Sequence, residues 1–433
     1  MFKMKVVLLL MLFSVVYHDS SAQPKTDAFL KSLLEQNTHP VFKKVLQQPQ
    51  TYRLQIIYTQ IDRDKKNVPS FKNYYFNYDP KLYFNPASTV KMPLAFLALE
   101  KLNEMKIKGV NKYTPIQFDS SYKGQKTAYK DSTSANGLPS IAHYIKKAFL
   151  ISDNDAYNRF YQFVGQQTIN KKLHEKGYPN ARITRQFMGF TEEANRHTNQ
   201  VRFITKKGKL IYTQPAAYNP DAFDFSQVVK IGKAHLDSKD SLVNGPFDFT
   251  KHNNITLEDY QQMLQSVLFP ESVPAKQRFN LTKDDQQFLL QFLSQYPSET
   301  NFPKYDFKKY YDSYVKFFFS DSTHNMPPHV RVFNKVGWAY GFSTDISYVV
   351  DLKENIEYML AATLYVNSDE IVNDGKYDYE KIANPFLYQL GQTVYQHELQ
   401  RDRLHKPKLS RFNIKYERRD PKDTRRSIKD ADN

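Results

Sequence analysis

The chain has 433 residues, of which 40% are apolar and 24% charged, so it can bury a sizeable core and is not a disordered polymer. It contains no Cys, which excludes disulfides, a Cys nucleophile, iron–sulfur clusters and thiolate zinc sites. Its 61 Lys and Arg residues against 45 Asp and Glu give a net charge of +16, which favours contact with polyanions without specifying one.

Residues 1–22 have the composition of an export signal. Lys3 and Lys5 precede an apolar run over residues 6–16, which is too short to cross a bilayer as a helix. The segment ends with three small residues, Ser20-Ser21-Ala22, so we expect cleavage after Ala22. The absence of Cys excludes bacterial lipid attachment. We therefore expect a periplasmic or secreted protein with no membrane span after signal removal.

Helix and strand patterns alternate along the first half of the mature chain. The predicted elements are a helix over residues 29–48 interrupted near Pro40, a hairpin of strands over 52–62 and 73–78, and helices over 89–101, 141–150 and 156–164. Ser88 therefore lies at or just inside the start of a helix. Ser152 falls in the short break between the last two helices.

The second half begins with an apparent insertion at about residues 198–254, which shows no clear periodicity. It is followed by predicted helices over 256–268 and 282–295, each with a capping pattern, by strands over 330–338, 345–351 and 357–366, and by a terminal helix over 379–403. Strand groups at both ends of a helical middle predict an α+β fold. We expect an antiparallel sheet built from both chain ends, with flanking helices plus an all-helical subdomain.

These patterns give a simple domain organisation. Residues 23–400 form one domain that carries the insertion, and residues 401–433 form a basic C-terminal tail with 12 Lys and Arg against 6 Asp and Glu, a net charge of 12 − 6 = +6. The tail mixes acidic with basic residues and has few aromatic ones. We therefore expect a surface-docked or disordered end and no nucleic-acid partner.

Three short motifs could carry chemistry: Ser88-Thr89-Val90-Lys91, Ser152-Asp153-Asn154 and Lys335-Val336-Gly337. Each pattern recurs elsewhere in the chain, so the context decides. Ser88 opens a helix and Lys91 follows one turn later, which places both side chains on one face. An amine beside a hydroxyl can take its proton, and helix N-terminal N–H groups favour a developing oxyanion. The alternative is structural: Ser88 and Asn154 as helix caps and Lys335 as a solvated strand charge.

With these motifs in this order, the sequence resembles the penicillin-recognising serine enzymes, above all the class A β-lactamases, over about residues 29–397. The signature of that family is Ser-x-x-Lys, Ser-Asp-Asn and Lys-Thr-Gly. The resemblance implies a β-lactamase/transpeptidase-like fold and a covalent acyl-enzyme. Ser88 would be the acylated nucleophile, Lys91 its activating partner, and Ser152 the group that passes a proton to the leaving nitrogen.

The resemblance also implies the substrate-binding residues. Asn154 would hydrogen-bond the substrate amide, and Lys335 would bind the substrate carboxylate. Gly337 and Trp338 would also line the substrate site, and the backbone N–H groups of Ser88 and Trp338 would form the oxyanion hole. The third motif departs from the family because Val336 replaces the usual Thr or Ser, so a hydroxyl that contacts the substrate carboxylate is absent.

A second departure concerns the Glu that class A enzymes use to activate the deacylating water. Its usual Glu-x-x-Leu-Asn setting is not present in the sequence. Glu192 and Glu193 fall in the corresponding region and are candidates for the role, although Asn195 has the wrong spacing. The alternative is an exposed acidic turn. Without such a Glu, acylation can proceed while turnover of a β-lactam is slow.

No His-Glu-x-x-His, Gly-x-Gly-x-x-Gly or phosphate-binding loop is present, so we expect no metal and no cofactor. The leading hypothesis is an exported serine hydrolase that opens a β-lactam or related amide through an acyl-Ser88 intermediate. One alternative is a peptidase or esterase of cell-wall peptides on the same fold. The other is a non-catalytic wall-binding or glycan-binding protein whose basic surface is the functional part.

Overall fold

The structure, a computed structural model, describes residues 24–187, 189–420 and 422–429, so the predicted export signal lies outside the described residues. Its helices and strands are, in chain order, α1 (Ala28–Glu35), α2 (Pro40–Gln47), β1 (Gln55–Arg63), β2 (Pro69–Phe76), α3 (Lys91–Met105), β3 (Ile116–Asp119), α4 (Ile141–Leu150), α5 (Asn154–Val164), α6 (Gln166–Glu175), α7 (Glu192–Arg196), β4 (Gln200–Ile204), β5 (Leu210–Gln214), β6 (Lys230–Ile231), β7 (Ala234–Leu236), β8 (Leu242–Asn244), β9 (Phe247–Asp248), α8 (Leu257–Leu268), α9 (Lys283–Ser294), β10 (Val330–Ala339), β11 (Phe342–Asp351), β12 (Ile356–Tyr365), β13 (Ile371–Val372) and α10 (Asn384–Gln400). Within these ranges no helix is both long and apolar enough to cross a membrane.

The central sheet takes its strands from both ends of the chain. Its order is β10-β11-β12-β1-β2, and every neighbouring pair is antiparallel. In the register, Gln55 of β1 faces Thr363 of β12, while Ile56 faces Phe76 of the hairpin partner β2. The predicted α+β architecture and its sheet from both chain ends are therefore confirmed.

The two faces of the sheet bury two separate cores. Alternate residues of β1 show this division, because Ile57 and Ile61 belong to one cluster and Ile56 and Tyr58 to the other. The first cluster includes α3, α4, α5, α8 and α9, which form the helical part of the fold. The second includes α1, α2 and α10, which cover the opposite face.

The segment that showed no periodicity forms short strands. Strands β4 and β5 extend a small sheet that begins with β3, and β6 pairs with β9. Strand β7 pairs with β8 and also, in parallel, with β13, which follows the last strand of the central sheet. The insertion is thus connected to the end of the central sheet that carries the β10–β11 turn.

The basic tail is docked on the helical part of the fold. The hydroxyl of Tyr416 lies 2.8 Å from that of Ser294, and Glu417 forms a 2.9 Å ion pair with Lys146. Phe412 is buried with 2% of its surface exposed.

The capping pattern predicted at the start of α9 is confirmed. Thr282 and the third residue of α9 exchange hydrogen bonds in a capping box.

Candidate active site

Ser88 lies in a tight 3-10 turn, Ala87–Val90, that leads directly into α3. The turn begins with backbone strain, because Ala87 has φ 44°, a left-handed conformation that residues with a Cβ rarely adopt. Asn85 Oδ1 accepts a 2.8 Å hydrogen bond from the Ala87 N–H and holds this conformation. The turn presents a half-buried Ser88 just before a helix whose first ten residues are buried.

Lys91 is fully buried, yet its amine reaches the Ser88 hydroxyl. Lys91 Nζ lies 2.7 Å from Ser88 Oγ and 2.8 Å from Asn154 Oδ1. It also donates to the backbone carbonyl of Ser152 and lies 3.3 Å from the Oγ of that residue. The first two motifs therefore meet around one amine.

Ser152 lies between two lysine amines. Its Oγ is 2.8 Å from Lys335 Nζ, opposite the 3.3 Å contact with Lys91. Ser152 has φ 63° at the junction of α4 and α5, and Asp153 caps α5 by accepting from the Ala156 N–H at 2.8 Å. The cap and the left-handed residue together direct the Ser152 hydroxyl toward both amines.

Lys335 reaches the cluster from β10. Its side chain is 1% exposed and also donates to the Val336 carbonyl at 2.8 Å. Burial, and next the charge of Lys91, lower the pKa of Lys335 well below the usual lysine range. The charge of Lys91 therefore disfavours the charged form of Lys335.

Gly337 allows β10 to approach the Ser88 turn. A Cβ on Gly337 would lie 2.7 Å from the Pro86 carbonyl oxygen and 2.8 Å from the Ser88 nitrogen, closer than real Cβ atoms come. Only glycine therefore permits this contact between the strand and the turn. The approach brings the backbone on either side of Gly337 next to the Ser88 N–H.

An aromatic ring lies against the Lys91 amine. The centroid of the Phe187 ring is 5.1 Å from Lys91 Nζ, and the ring stacks on Tyr157 at 4.2 Å. Asn158 holds the Phe187 backbone through hydrogen bonds of 2.9 and 3.1 Å. The sequence does not single out Phe187, because a single Phe in an irregular loop carries no pattern that distinguishes it from a core residue.

The two glutamates proposed for water activation lie on the short helix α7. Glu192 forms a 2.7 Å ion pair with Lys251, and Glu193 a 3.0 Å pair with His197. Both carboxylates are about half exposed, at 53% and 54%. The structure thus gives them surface ion pairs, and their catalytic role stays a prediction.

The structure brings together Ser88, Lys91, Ser152, Asn154 and Lys335, which are separated by up to 247 positions in the chain (335 − 88). Elsewhere in the described ranges, no group of three or more His, Asp or Glu side chains is placed to hold a metal ion. Chemically, such a cluster can attack a carbonyl carbon with a hydroxyl and transfer the released proton between the amines.

Comparison with known proteins gives a family and a set of similar folds. The model of the Beta-lactamase enzyme family matches residues 41–397, more than half of the chain. No curated protein matches the sequence of this chain.

Three solved structures illustrate the similarity in fold. The beta-lactamase from Sphaerobacter thermophilus DSM 20745 is 14% identical, with a TM-score of 0.44, over 83% of this chain and 96% of that one. The beta-lactamase from Burkholderia ambifaria is 13% identical, with a TM-score of 0.45, over 83% and 98%. The class A beta-lactamase from Clostridium kluyveri DSM 555 is 14% identical, with a TM-score of 0.45, over 82% and 98%.

Proposed function

Because the chain belongs to the Beta-lactamase enzyme family, we propose that it is a serine hydrolase that opens β-lactam or related amide bonds through an acyl-Ser88 intermediate. The observation that carries the proposal is the 2.7 Å contact between Lys91 Nζ and Ser88 Oγ, with Ser152 Oγ placed between Lys91 and Lys335.

The first half of the reaction forms an ester. Lys91, in its neutral form, takes the Ser88 proton as Oγ attacks the carbonyl carbon of the amide. The negative charge on the carbonyl oxygen is stabilised by the N–H groups of Ser88 and Trp338, and one such donor is typically worth about 3 kcal/mol. The carbon–nitrogen bond then breaks, and the nitrogen receives a proton through Ser152.

Substrate binding uses the same cluster. We expect Asn154, which lies 2.8 Å from Lys91 Nζ, to hydrogen-bond the substrate amide, and Lys335 to supply positive charge for a carboxylate on the leaving-group side. Val336 removes the hydroxyl that commonly assists this contact, so Lys335 carries more of the binding of that carboxylate.

The second half of the reaction is hydrolysis of the ester, and we expect it to be slow. One side chain beside Lys91 is the ring of Phe187, which cannot act as a base for water. This observation supports a second candidate, a peptidase or esterase that acts on cell-wall peptides on the same fold. The composition of residues 1–22 supports export to the compartment where such peptides occur.

Intact-protein mass spectrometry after incubation with benzylpenicillin tests the acyl-enzyme, together with an assay of β-lactam hydrolysis. We expect an adduct of one penicillin on the wild type and none on Ser88→Ala. Ser120→Ala is the matched control, because Ser120 begins another Ser-x-x-Lys sequence and is exposed. An adduct that persists in Ser88→Ala, or a wild type with neither adduct nor hydrolysis, contradicts the proposal.

A further inference from the structure

The charges of three arginines act on Tyr83, five residues before the proposed nucleophile, and these arginines have no carboxylate partner among the described residues. Arg53 Nη2 donates to the Tyr83 carbonyl at 2.8 Å, Arg182 Nη2 to the Thr250 carbonyl at 2.8 Å, and Arg185 Nη1 to His252 Nε2 at 2.7 Å. Across the described part of the chain, none of the three arginines forms an ion pair with Asp or Glu. No carboxylate among the described residues is therefore in contact with them, although the charge of Asp224 acts on Arg182 from a greater distance.

Some other half-buried arginines of this protein do have such partners. Arg63 pairs with Glu357 at 2.6 Å and Arg331 with Glu299 at 2.8 Å. Arg196 and Arg419, by contrast, donate to backbone carbonyls. The arginine cluster around Tyr83 differs from both kinds because three arginines act on one buried side chain. Cationic clusters of this kind are typical of sites that bind an anion.

The Tyr83 hydroxyl points to the same conclusion. Tyr83 is 4% exposed, and its hydroxyl has no hydrogen-bond partner among the described residues. Burial raises the pKa of Tyr83, while the charges of Arg182, Arg185 and Arg53 oppose that rise, so all three act on this phenol. A buried hydroxyl without a partner costs free energy, and an anionic oxygen would accept from both the phenol and the guanidinium groups.

The cluster lies at one end of the proposed catalytic cleft. Tyr340 follows Gly337 by three residues, roughly 10 Å along an extended chain, on the side away from Lys335. The Tyr340 ring lies 6.0 Å from the His252 ring and 5.5 Å from that of Phe249, and Phe249 lies 5.7 Å from Tyr83. A continuous aromatic wall therefore connects the strand beside Ser88 with the arginines.

The direction of the substrate in the cleft follows from the proposed proton route. Ser152 and Lys335 serve the leaving nitrogen and its carboxylate, so the leaving-group half of the substrate lies toward them. The acyl half then extends the other way along β10, past Gly337 and toward Tyr340.

We propose that Arg185, assisted by Arg182 and Arg53, binds a carboxylate on the acyl side of the substrate. The substrate class is an amide with an acidic group on each side of the bond that is cleaved, as in an acidic peptide. The inference rests on the proposed function. It also assigns a role to the insertion, which supplies His252 and Phe249 to this site.

Two penicillins make a matched pair of probes: benzylpenicillin and its α-carboxyl derivative, which adds one carboxylate on the acyl side. We expect the wild type to be acylated about tenfold faster by the derivative at limiting concentration, as a charge-assisted contact would give. Arg185→Gln should bring the ratio of the two rates close to one, and Arg185→Lys should restore part of it. Lys239→Gln, an exposed residue of the insertion, is the control for net charge and should keep the wild-type ratio.

The outcomes separate this inference from the proposed function. Acylation of Ser88 at equal rates by both penicillins, with a ratio that Arg185→Gln does not change, overturns the carboxylate site and leaves the serine hydrolase intact. If neither penicillin acylates Ser88, calorimetric titration of the unreacted protein decides. Tighter binding of the derivative that Arg185→Gln removes supports the site, and equal binding of both compounds overturns it.

Discussion

Lys91 Nζ lies 2.7 Å from Ser88 Oγ, although Lys91 is fully buried and Ser88 is only half-buried. The contact places a buried amine beside a hydroxyl that remains partly exposed. The helix that joins them holds the pair in place before any substrate arrives, which reduces the ordering that the reaction requires.

Lys91→Met should slow acylation by benzylpenicillin about 100-fold or more, because it removes the group that takes the Ser88 proton. The rate of adduct formation by quenched-flow mass spectrometry measures this effect. Lys101→Met is the matched control, since Lys101 lies on the same helix and its amine donates to the Phe163 carbonyl at 2.5 Å, away from Ser88. A Lys91→Met protein that is folded and acylates at the wild-type rate would remove Lys91 from the mechanism.

Gly337→Ala should lower both stability and acylation. Its Cβ would lie 2.8 Å from the Ser88 and Thr89 nitrogens, so the strand or the turn must move apart. Overpacking of this kind costs about 1–3 kcal/mol, measurable by urea denaturation. Gly189→Ala is the control, because its Cβ would meet no atom within 4 Å. Equal effects of the two substitutions would show that the approach of β10 to Ser88 is unimportant.

Phe187→Glu should shorten the lifetime of the acyl-enzyme. It replaces the ring beside Lys91 with a carboxylate that can take a proton from water, and we expect a rate of adduct loss at least about tenfold higher. Phe187→Gln removes the same ring without adding a base and serves as the comparison. The measurement is the decay of the penicillin adduct after removal of free penicillin. Similar decay in both variants would argue that water activation does not limit turnover.

His252→Gln should reduce the loss of stability in acid. Burial, and next the charge of Arg185, lower the pKa of His252 to about 3 from the ordinary 6.5. Between pH 3 and 6.5, His252 therefore binds a proton in the unfolded chain but not in the folded protein. The free energy of unfolding consequently falls as the pH drops from 6.5 toward 3. One such group contributes a slope of about 1.4 kcal/mol per pH unit.

Urea denaturation of the wild type and His252→Gln at several pH values in this range measures the two slopes. His324→Gln, at an exposed position, is the control and should retain the wild-type slope. A His252→Gln slope equal to that of the wild type would place the acid sensitivity elsewhere in the protein.

The sequence predicted the elements well where local patterns are strong. The helix over residues 141–150 matches α4, and the capping pattern at Thr282 marks the start of α9. Prediction was poor between residues 198 and 254, where β6, β8 and β9 are two or three residues long. Such strands are stabilised by partners distant in the chain, so no local periodicity reveals them.

The order and spacing of the three motifs predict a site of Ser88, Lys91, Ser152, Asn154 and Lys335, and the structure places these side chains together. Each motif keeps its own residues close together on one turn, cap or strand, and their catalytic roles stay predictions. The sequence could not show that Phe187 faces Lys91, that Gly337 touches the Ser88 turn, or that three arginines gather at Tyr83. These relationships join segments with no common local pattern. They follow from how the helical part and the insertion pack against the sheet, where the whole set of buried contacts determines which side chains become neighbours.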